Sequence, residues 1–286
     1  MRLQQTSDPV ENLKQKQFSE FLLEIGNGTY TVNPDTEDII SLPLNIVLFK
    51  GTLINLIDFV YPKLADNSGN ANYMVSKAIL TTKKINVDAI SDIIMEKIPG
   101  EMILYPSANS VDLPEDSTLE QSQLYSPEFL RSLKIPELPP GELKLKIGVP
   151  IILLRNLNPS EGLCNGIRLI CRAFQSRVID AEIITGSHVG KRVFIPRITL
   201  TPSETKLPFV INRRQFPIRL AFSMTINKSQ GQTLNRVGIY LLQPVFAHGQ
   251  LYVALSRATS CQCIKVLIDD GNSCQTKNIV YHEIFQ

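Results

Sequence analysis

No apolar run in the 286 residues is long enough to cross a bilayer: a spanning helix needs about 20 predominantly apolar residues, and stretches such as Val149 to Leu154 stop far short. The first ten residues, MRLQQTSDPV, hold no apolar core of the kind a secretory leader carries. The expectation is a chain that neither spans nor crosses a membrane. Cysteines are few and odd in number, namely Cys164, Cys171, Cys261, Cys263 and Cys274. That excludes the dense disulfide framework of a small secreted domain and favours a reducing compartment. Cys261, Cys263, Cys274 and His282 can be drawn as a zinc site, but the first pair is CxC instead of CxxC and no second knuckle follows. Ordinary thiols and no metal ligand are therefore expected. Also lacking is any GxxxxGK[ST] string, the loop whose amides and lysine cradle nucleotide phosphates while its hydroxyl ligates magnesium. The nearest wording, Gly186 to Arg192, is one residue short, puts Arg192 where the hydroxyl belongs and runs into the β-type VFIPRITL, so it reads as a hairpin loop.

Acid is nearly missing from one window. Between Gly186 and Arg236 stand Lys191, Arg192, Arg197, Lys206, Arg213, Arg214, Arg219, Lys228 and Arg236 against Glu204 alone, so this window is +8 in a chain whose total is +2. Such asymmetry suits a polyanion-binding face, because lysine and arginine that neutralise phosphates release condensed counterions. A solvated basic surface is the plainer alternative.

Two kinds of local pattern follow one another along the chain. Asp8, Pro9 and Glu11 compose a helix start, with Leu13, Phe18, Phe21, Leu22 and Ile25 at helical spacing until Gly26. Ala78 to Thr81 reads as a strand, Val87 to Lys97 as a helix capped by Asn86, and Met102 to Tyr105 as a further strand, an alternation that argues for an α/β layer. Pro106 to Gln123 is polar, and Ile135 to Gly141 is a stiff connector. After it the pattern is β only: Leu143 to Leu154, an Asn165-Gly166 turn, Ile167 to Phe174, Val178 to Ile184 and Arg192 to Leu200. The α/β reading returns with strands at Arg219 to Met224 and Val237 to Leu242, a helix from about Ala247 to Arg257, and a strand at Ile264 to Ile268. The expected architecture is one α/β domain, residues 1–141 and 205–286, interrupted by a small β-barrel at 142–204.

Two segments hold residues suited to phosphate chemistry. In Ala221 to Leu234 an apolar strand gives way to a polar turn with Thr225, Asn227, Lys228, Ser229, Gln230 and Gly231. A turn at the carboxyl end of a strand in an open sheet is where ligands bind, and hydroxyls, amides and a lysine supply phosphate contacts without sequence readout. About twenty residues on, the mostly apolar Gln250 to Ala258 ends by presenting Ser256 and Arg257, a guanidinium of the kind a transferring phosphoryl group needs. Alone, each segment is equally compatible with a polar loop and a surface ion-pair arginine. Ile264 to Asp270 imitates a magnesium-binding strand end, but follows the arginine-bearing helix and reads as a closing strand.

TINKSQGQTL followed by LYVALSRA resembles the last two motifs of superfamily-one helicases of the Pif and RecD branch. LKLKIGVPIILLRNLNPSEGLCNGIRLI, KRVFIPRITL and RRQFPIRLAFSMTINKSQGQTL are similar to the Pif helicases encoded by Helitron transposons. The resemblance implies a RecA-like second motor domain, α/β in class, whose inserted β-barrel is Src-homology-three-like and helps hold single-stranded DNA. It implies that Arg2 and Arg257 act on the γ-phosphate of ATP, that Thr225, Asn227, Lys228 and Ser229 contact DNA, and that Gly231 and Gln232 couple DNA to nucleotide. ATP and Mg²⁺ would be held by a first RecA-like domain missing from this chain and supplied in cis or in trans, and Met1 coincides with an internal methionine of longer relatives. Such a chain is expected to be inactive alone and to work in the nucleus, with 5′ to 3′ polarity in the intact enzyme. Two departures stand out: Asn227 replaces a histidine common in relatives, and Leu80-Thr-Thr-Lys-Lys-Ile-Asn86 differs from the family's LTPTN-like wording.

Overall fold

The structure, a computed structural model, describes residues 9–30, 38–112, 125–135, 137–203, 207–281 and 283. Arg2, the expected cap Asp8 and His282 lie outside the described residues. In chain order the elements begin with α1 (Pro9–Asn27), β1 (Ile39–Ser41), α2 (Leu53–Val60), α3 (Ala71–Val75), β2 (Lys77–Thr81) and α4 (Lys84–Lys97). Next come β3 (Ile103–Pro106), β4 (Ala108–Asp112), α5 (Pro127–Ser132), β5 (Glu142–Leu145), β6 (Pro150–Leu153), β7 (Arg168–Phe174), β8 (Val178–Ile183) and β9 (Arg192–Pro196). The rest are β10 (Ile198–Leu200), β11 (Val210–Gln215), β12 (Ile218–Leu220), β13 (Ser223–Thr225), β14 (Arg236–Leu241), α6 (Gln250–Leu255), β15 (Ile264–Ile268) and β16 (Gln275–Lys277). They gather into two compact units, one of residues 1–66, 76–97 and 222–286, the other of residues 67–75 and 98–221, a wider stretch than 142–204.

The first unit is built on a four-stranded sheet in the order β13-β2-β14-β15, parallel throughout. Central parallel strands are covered on both faces and so are apolar in unbroken runs, as Ala78, Ile79 and Leu80 and then Val237, Ile239 and Leu241 are. α2 packs on β14, α4 packs on β13, and α1 lies against α6. Of the residues whose spacing announced a buried face, α1 buries Phe18, Leu22 and Ile25 and packs Phe21 partly against them, while Leu13 stays exposed; each fully buried side chain contributes about 1.5–3 kcal/mol by leaving water. Tyr61 ties α2's end to the sheet by donating to the Phe222 carbonyl at 2.7 Å, its ring edge-on to that of Phe222.

Three expectations are corrected. Asn86 does not cap α4, which starts at Lys84; its side chain is buried and donates to Thr81 Oγ1 at 3.3 Å and Gln243 Oε1 at 3.1 Å, so the amide is occupied at the sheet's end. The strand around Met102 to Tyr105 does not join the α/β sheet, because β3 pairs antiparallel with β5 in the second unit. The expected strand from Arg219 to Met224 is two strands, β12 serving the β unit and β13 the parallel sheet. The chain crosses between units at Ala221 and Phe222, both buried. Hydropathy alone cannot see such a crossing, since an apolar stretch looks the same whichever sheet receives it.

The second unit holds a five-stranded antiparallel sheet, β12-β6-β7-β8-β9, a three-stranded one, β10-β11-β4, and the β3-β5 pair. The Gly186 to Arg192 string is the connection between antiparallel β8 and β9, as its sequence led one to expect. Two arginines replace apolar packing with hydrogen bonds. Arg168, 1% exposed, donates to the carbonyls of Val75 at 2.8 Å, Met74 at 3.1 Å and Ala221 at 3.1 Å. Arg213, fully buried, reaches Asn109 Oδ1 and the carbonyls of Pro139, Leu130 and Leu133. Burial, then the nearby Arg219, pulls its pKa down to about 10. Gly148 sits at φ 83°, and a Cβ there would fall 2.6 Å from the Gly69 nitrogen, so only glycine permits this approach.

Candidate nucleic-acid interface

β13 ends at Thr225 and turns at once into a 3₁₀ turn, Ile226–Ser229. Thr225 lies opposite Thr81 in parallel register, so the turn stands at the carboxyl end of the open sheet, the end at which such sheets take ligands. Buried Ile226 pins it, leaving Asn227 and Lys228 exposed and Thr225 half-buried. Ser229 behaves differently: it is fully buried and its hydroxyl donates to the Ile226 carbonyl at 2.6 Å. Among the four residues the resemblance assigned to DNA, three offer side chains to solvent and Ser229 closes the turn. Gly231 is exposed at φ 82°, in the left-handed region glycine adopts without a Cβ penalty. Gln232 donates its N–H to the Ser229 carbonyl at 3.0 Å, completing a second turn.

Helix α6 carries Arg257 to this turn. It is shorter than expected, because Gly249 takes a left-handed φ of 66° immediately before Gln250 and the helix ends at Leu255. From just beyond that end, Arg257 Nε donates to the Val253 carbonyl at 2.9 Å and Nη2 to Ser256 Oγ at 2.9 Å. Nη1 reaches the carbonyls of Gln232 at 3.0 Å and Ser229 at 3.4 Å. The guanidinium thus clasps both turns between 226 and 232 onto the helix end. Burial lowers its pKa, against a smaller upward pull from Tyr252. A second tie comes from Gln250, whose Nε2 donates to Asn227 Oδ1 at 3.2 Å while its Oε1 accepts the Phe246 N–H at 3.0 Å.

Gln250 is the positioning residue that sequence reasoning missed, although a buried amide opening an otherwise apolar helix was a visible signal. Thr81, Asn86 and Gln243, joined at the end of β2, were missed for the same reason. The basic window proves divided in use. Arg213 is internal, Lys191 and Arg192 pair with Glu161 and Asp180, and Arg236 donates to the Phe59 carbonyl while stacking on its ring. Lys228 and Arg214 remain exposed. Among the described residues no group of three or more His, Cys, Asp or Glu could hold a metal ion. Asp270, in the imitation magnesium motif, accepts the Tyr240 hydroxyl at 2.9 Å; burial first, then this bond, pushes the Tyr240 pKa up to about 12.

A parallel open sheet with a polar turn and an arginine at its carboxyl end makes this an α/β protein, and the solved structures it resembles in fold are Pif1 helicases. Residues 128–174 match the family model described as the 2B domain of DNA helicase Pif1. The human ATP-dependent DNA helicase PIF1 is 38% identical over 143 residues, 49% of this chain and 21% of the human protein. Pif1 of Campylobacter jejuni is 34% identical over 161 residues, 53% of this chain and 34% of that protein. Among solved structures, one described as showing DNA unwinding at forked duplex by two coordinating Pif1 helicases is 25% identical, with TM-score 0.55 over 91% of this chain and 47% of that one. Pif1 from Candida albicans superposes with TM-score 0.56 at 23% identity, over 88% of this chain and 53% of that one. The chain is similar to the Pif1 DNA helicases over part of its length, and residues 128–174 are similar to their 2B domain. It spans about half the length of these solved structures and about a fifth to a third of these curated relatives.

Proposed function

We propose that this chain acts as the C-terminal half of an ATP-dependent 5′ to 3′ DNA helicase related to the Helitron-encoded enzymes, its β unit being the Src-homology-three-like insertion. Thr225, Asn227 and Lys228 grip the backbone of single-stranded DNA, with Ser229 shaping the turn beneath them. Arg257, with Arg2, stabilises charge on the γ-phosphate of ATP held by a first RecA-like domain in cis or in trans. The observation that carries this reading is the clasp of Arg257 on the Ser229 and Gln232 carbonyls. It joins the residue assigned to nucleotide directly to the turn assigned to DNA, so a change at either end moves the other. Five N–H groups on the guanidinium face four acceptors among the described residues, and a phosphate oxygen fits the donor left over. Mg²⁺ is commonly held by one or two carboxylates together with nucleotide phosphates, and this reading assigns it to the first domain and the nucleotide.

Assayed alone with single-stranded DNA, the chain is expected to show no ATP turnover. DNA-stimulated turnover that Arg257→Ala abolishes would refute the division of labour. A second reading, a non-enzymatic single-strand-binding remnant, draws on the exposed Lys228 and Arg214. It is distinguished by adding the first domain of a Pif1 relative in trans: restored turnover favours the helicase half, and binding without turnover favours the remnant.

A further inference from the structure

At the carboxyl end of the parallel sheet, the loop between β14 and α6 holds an apolar ring out of the core. Phe246 is 60% exposed and pairs with no other ring among the described residues. A single exposed ring is ordinary on a protein surface; what sets this one apart is how its backbone is held. The Phe246 N–H donates to Gln250 Oε1 at 3.0 Å, and Nε2 of the same amide donates to Asn227 Oδ1 at 3.2 Å. Gln250 is only 4% exposed, so one buried side chain couples the loop to the polar turn. β2 lies between β13 and β14, and the turn and the loop therefore stand on either side of it, at the end where such sheets take ligands.

The rest of the loop is pinned, which fixes where the ring is presented. Val245 is buried in the core of the first unit. Before it, the Gln243 carbonyl accepts from Thr82 Oγ1 at 3.3 Å and Gln243 Oε1 accepts from Asn86 at 3.1 Å. After it, His248 stacks on Tyr281 with ring centres 5.4 Å apart, its Nδ1 accepts the Tyr281 N–H at 2.9 Å, and the Gly249 N–H donates to the Ile279 carbonyl at 2.9 Å. The bridge also decides which way the Asn227 amide is turned. With Oδ1 engaged by Gln250, the Nδ2 donors remain, next to the exposed Lys228, and donors of both kinds suit phosphate oxygens. Phosphate donors on the turn and an apolar ring on the adjoining loop complement a nucleotide whose base is unpaired. Aromatic side chains stack on any base with a free face, and in a duplex the neighbouring base pairs cover those faces.

We propose that Phe246 stacks on an unpaired base of the strand whose phosphates the turn grips, and that Gln250 is the positioning residue holding ring and turn at one spacing. Together they make the site prefer a single strand to a duplex. The proposal rests on the reading of the turn as a single-strand site and adds the residue that meets the base.

The test is anisotropy of three labelled probes of equal length, titrated with the full chain between about 50 and 200 mM salt. The probes are an oligothymidylate, a strand of the same length made of abasic sites, and a duplex. Wild type, Phe246→Ala, Phe246→Trp, Gln250→Leu and Lys228→Gln are compared, with circular dichroism melts to establish folding; Gln250→Glu, which cannot donate to Asn227, serves if Gln250→Leu does not fold. Wild type should bind oligothymidylate at least about fivefold tighter than the abasic strand. Phe246→Ala should lose that factor on oligothymidylate alone and keep the salt slope, since a ring releases no counterion, while Phe246→Trp keeps the preference. The Gln250 variant should lose most of the preference with Phe246 still in place, an effect that general destabilisation would not confine to one probe. Lys228→Gln should instead lower the salt slope by about 0.7 and leave the preference intact. Phe246→Ala that matches wild type on oligothymidylate, or weakens all three probes alike, overturns the proposal; if Lys228→Gln still weakens binding, the turn's role stands. A preference that survives loss of the Gln250 amide overturns the positioning role. No binding of any probe by wild type at low salt removes the proposal and the reading beneath it.

Discussion

Replacing Arg257 with alanine should loosen the turn it clasps and cost the chain measurable stability. The substitution deletes four hydrogen bonds, and three of the acceptors are backbone carbonyls, at Val253, Gln232 and Ser229. Hydrogen bonds to a charged donor are worth about 1.5–3 kcal/mol each when nothing replaces them. Arg257 is only half-buried, so water can reach some of the freed carbonyls, and the net loss should be about 2–4 kcal/mol. Lysine keeps the charge but not the planar guanidinium that spans three carbonyls and a hydroxyl, and should recover less than half of that loss. The assay is urea unfolding followed by circular dichroism, with oligothymidylate affinity measured on the same samples. Arg257→Ala should also weaken DNA binding several-fold without altering its salt dependence, because the guanidinium shapes the turn and touches no DNA phosphate. A stability change under about 0.5 kcal/mol, or full recovery by lysine, would refute the reasoning.

Two further predictions concern the scaffold. Arg168→Met leaves the Val75, Met74 and Ala221 carbonyls without the buried guanidinium that bonds them and should destabilise the β unit by at least about 2 kcal/mol, since each buried acceptor left unsatisfied costs about 1–3 kcal/mol; an unfolding midpoint equal to wild type would show that these bonds contribute little. Burial, followed by the neighbouring Arg236, lowers the Lys77 pKa from 10.5 to about 8. Between those values the unfolded chain binds more protons than the folded one, so this group makes stability rise with pH. Unfolding free energies of wild type and Lys77→Met, measured from pH 7 to 10.5, should therefore converge or cross as pH rises. A constant difference would contradict the assignment.

Much of the parallel sheet was legible in the sequence because its strands are continuous apolar runs separated by helical spacing, as at Ala78 to Thr81, Val237 to Leu242 and Ile264 to Ile268. The two polar segments were legible too, through their order and separation, but the clasp of Arg257 on the turn was not. What escaped was whatever depends on partners distant in sequence. Met102 to Tyr105 is as apolar as a strand of the parallel sheet, yet pairs with β5. Arg213 and Arg214 are adjacent basic residues in one strand, and only the alternation of faces makes one a buried clasp and the other an exposed cation. Ser229 looks like a phosphate ligand in the motif, and its hydroxyl is spent three residues back on Ile226. Composition therefore marks a window rich in lysine and arginine but could not say which of its charges remain available.

The most direct test of the central claim is the affinity of the wild-type chain for labelled single-stranded DNA as salt is raised from about 50 to 200 mM. Backbone gripping by the turn and its neighbours requires tight binding at the low end and a linear fall in log affinity with log salt, steep enough to count at least two phosphates, a slope of about −1.4 or beyond. Affinity indifferent to salt, or no binding at the low end, would contradict it.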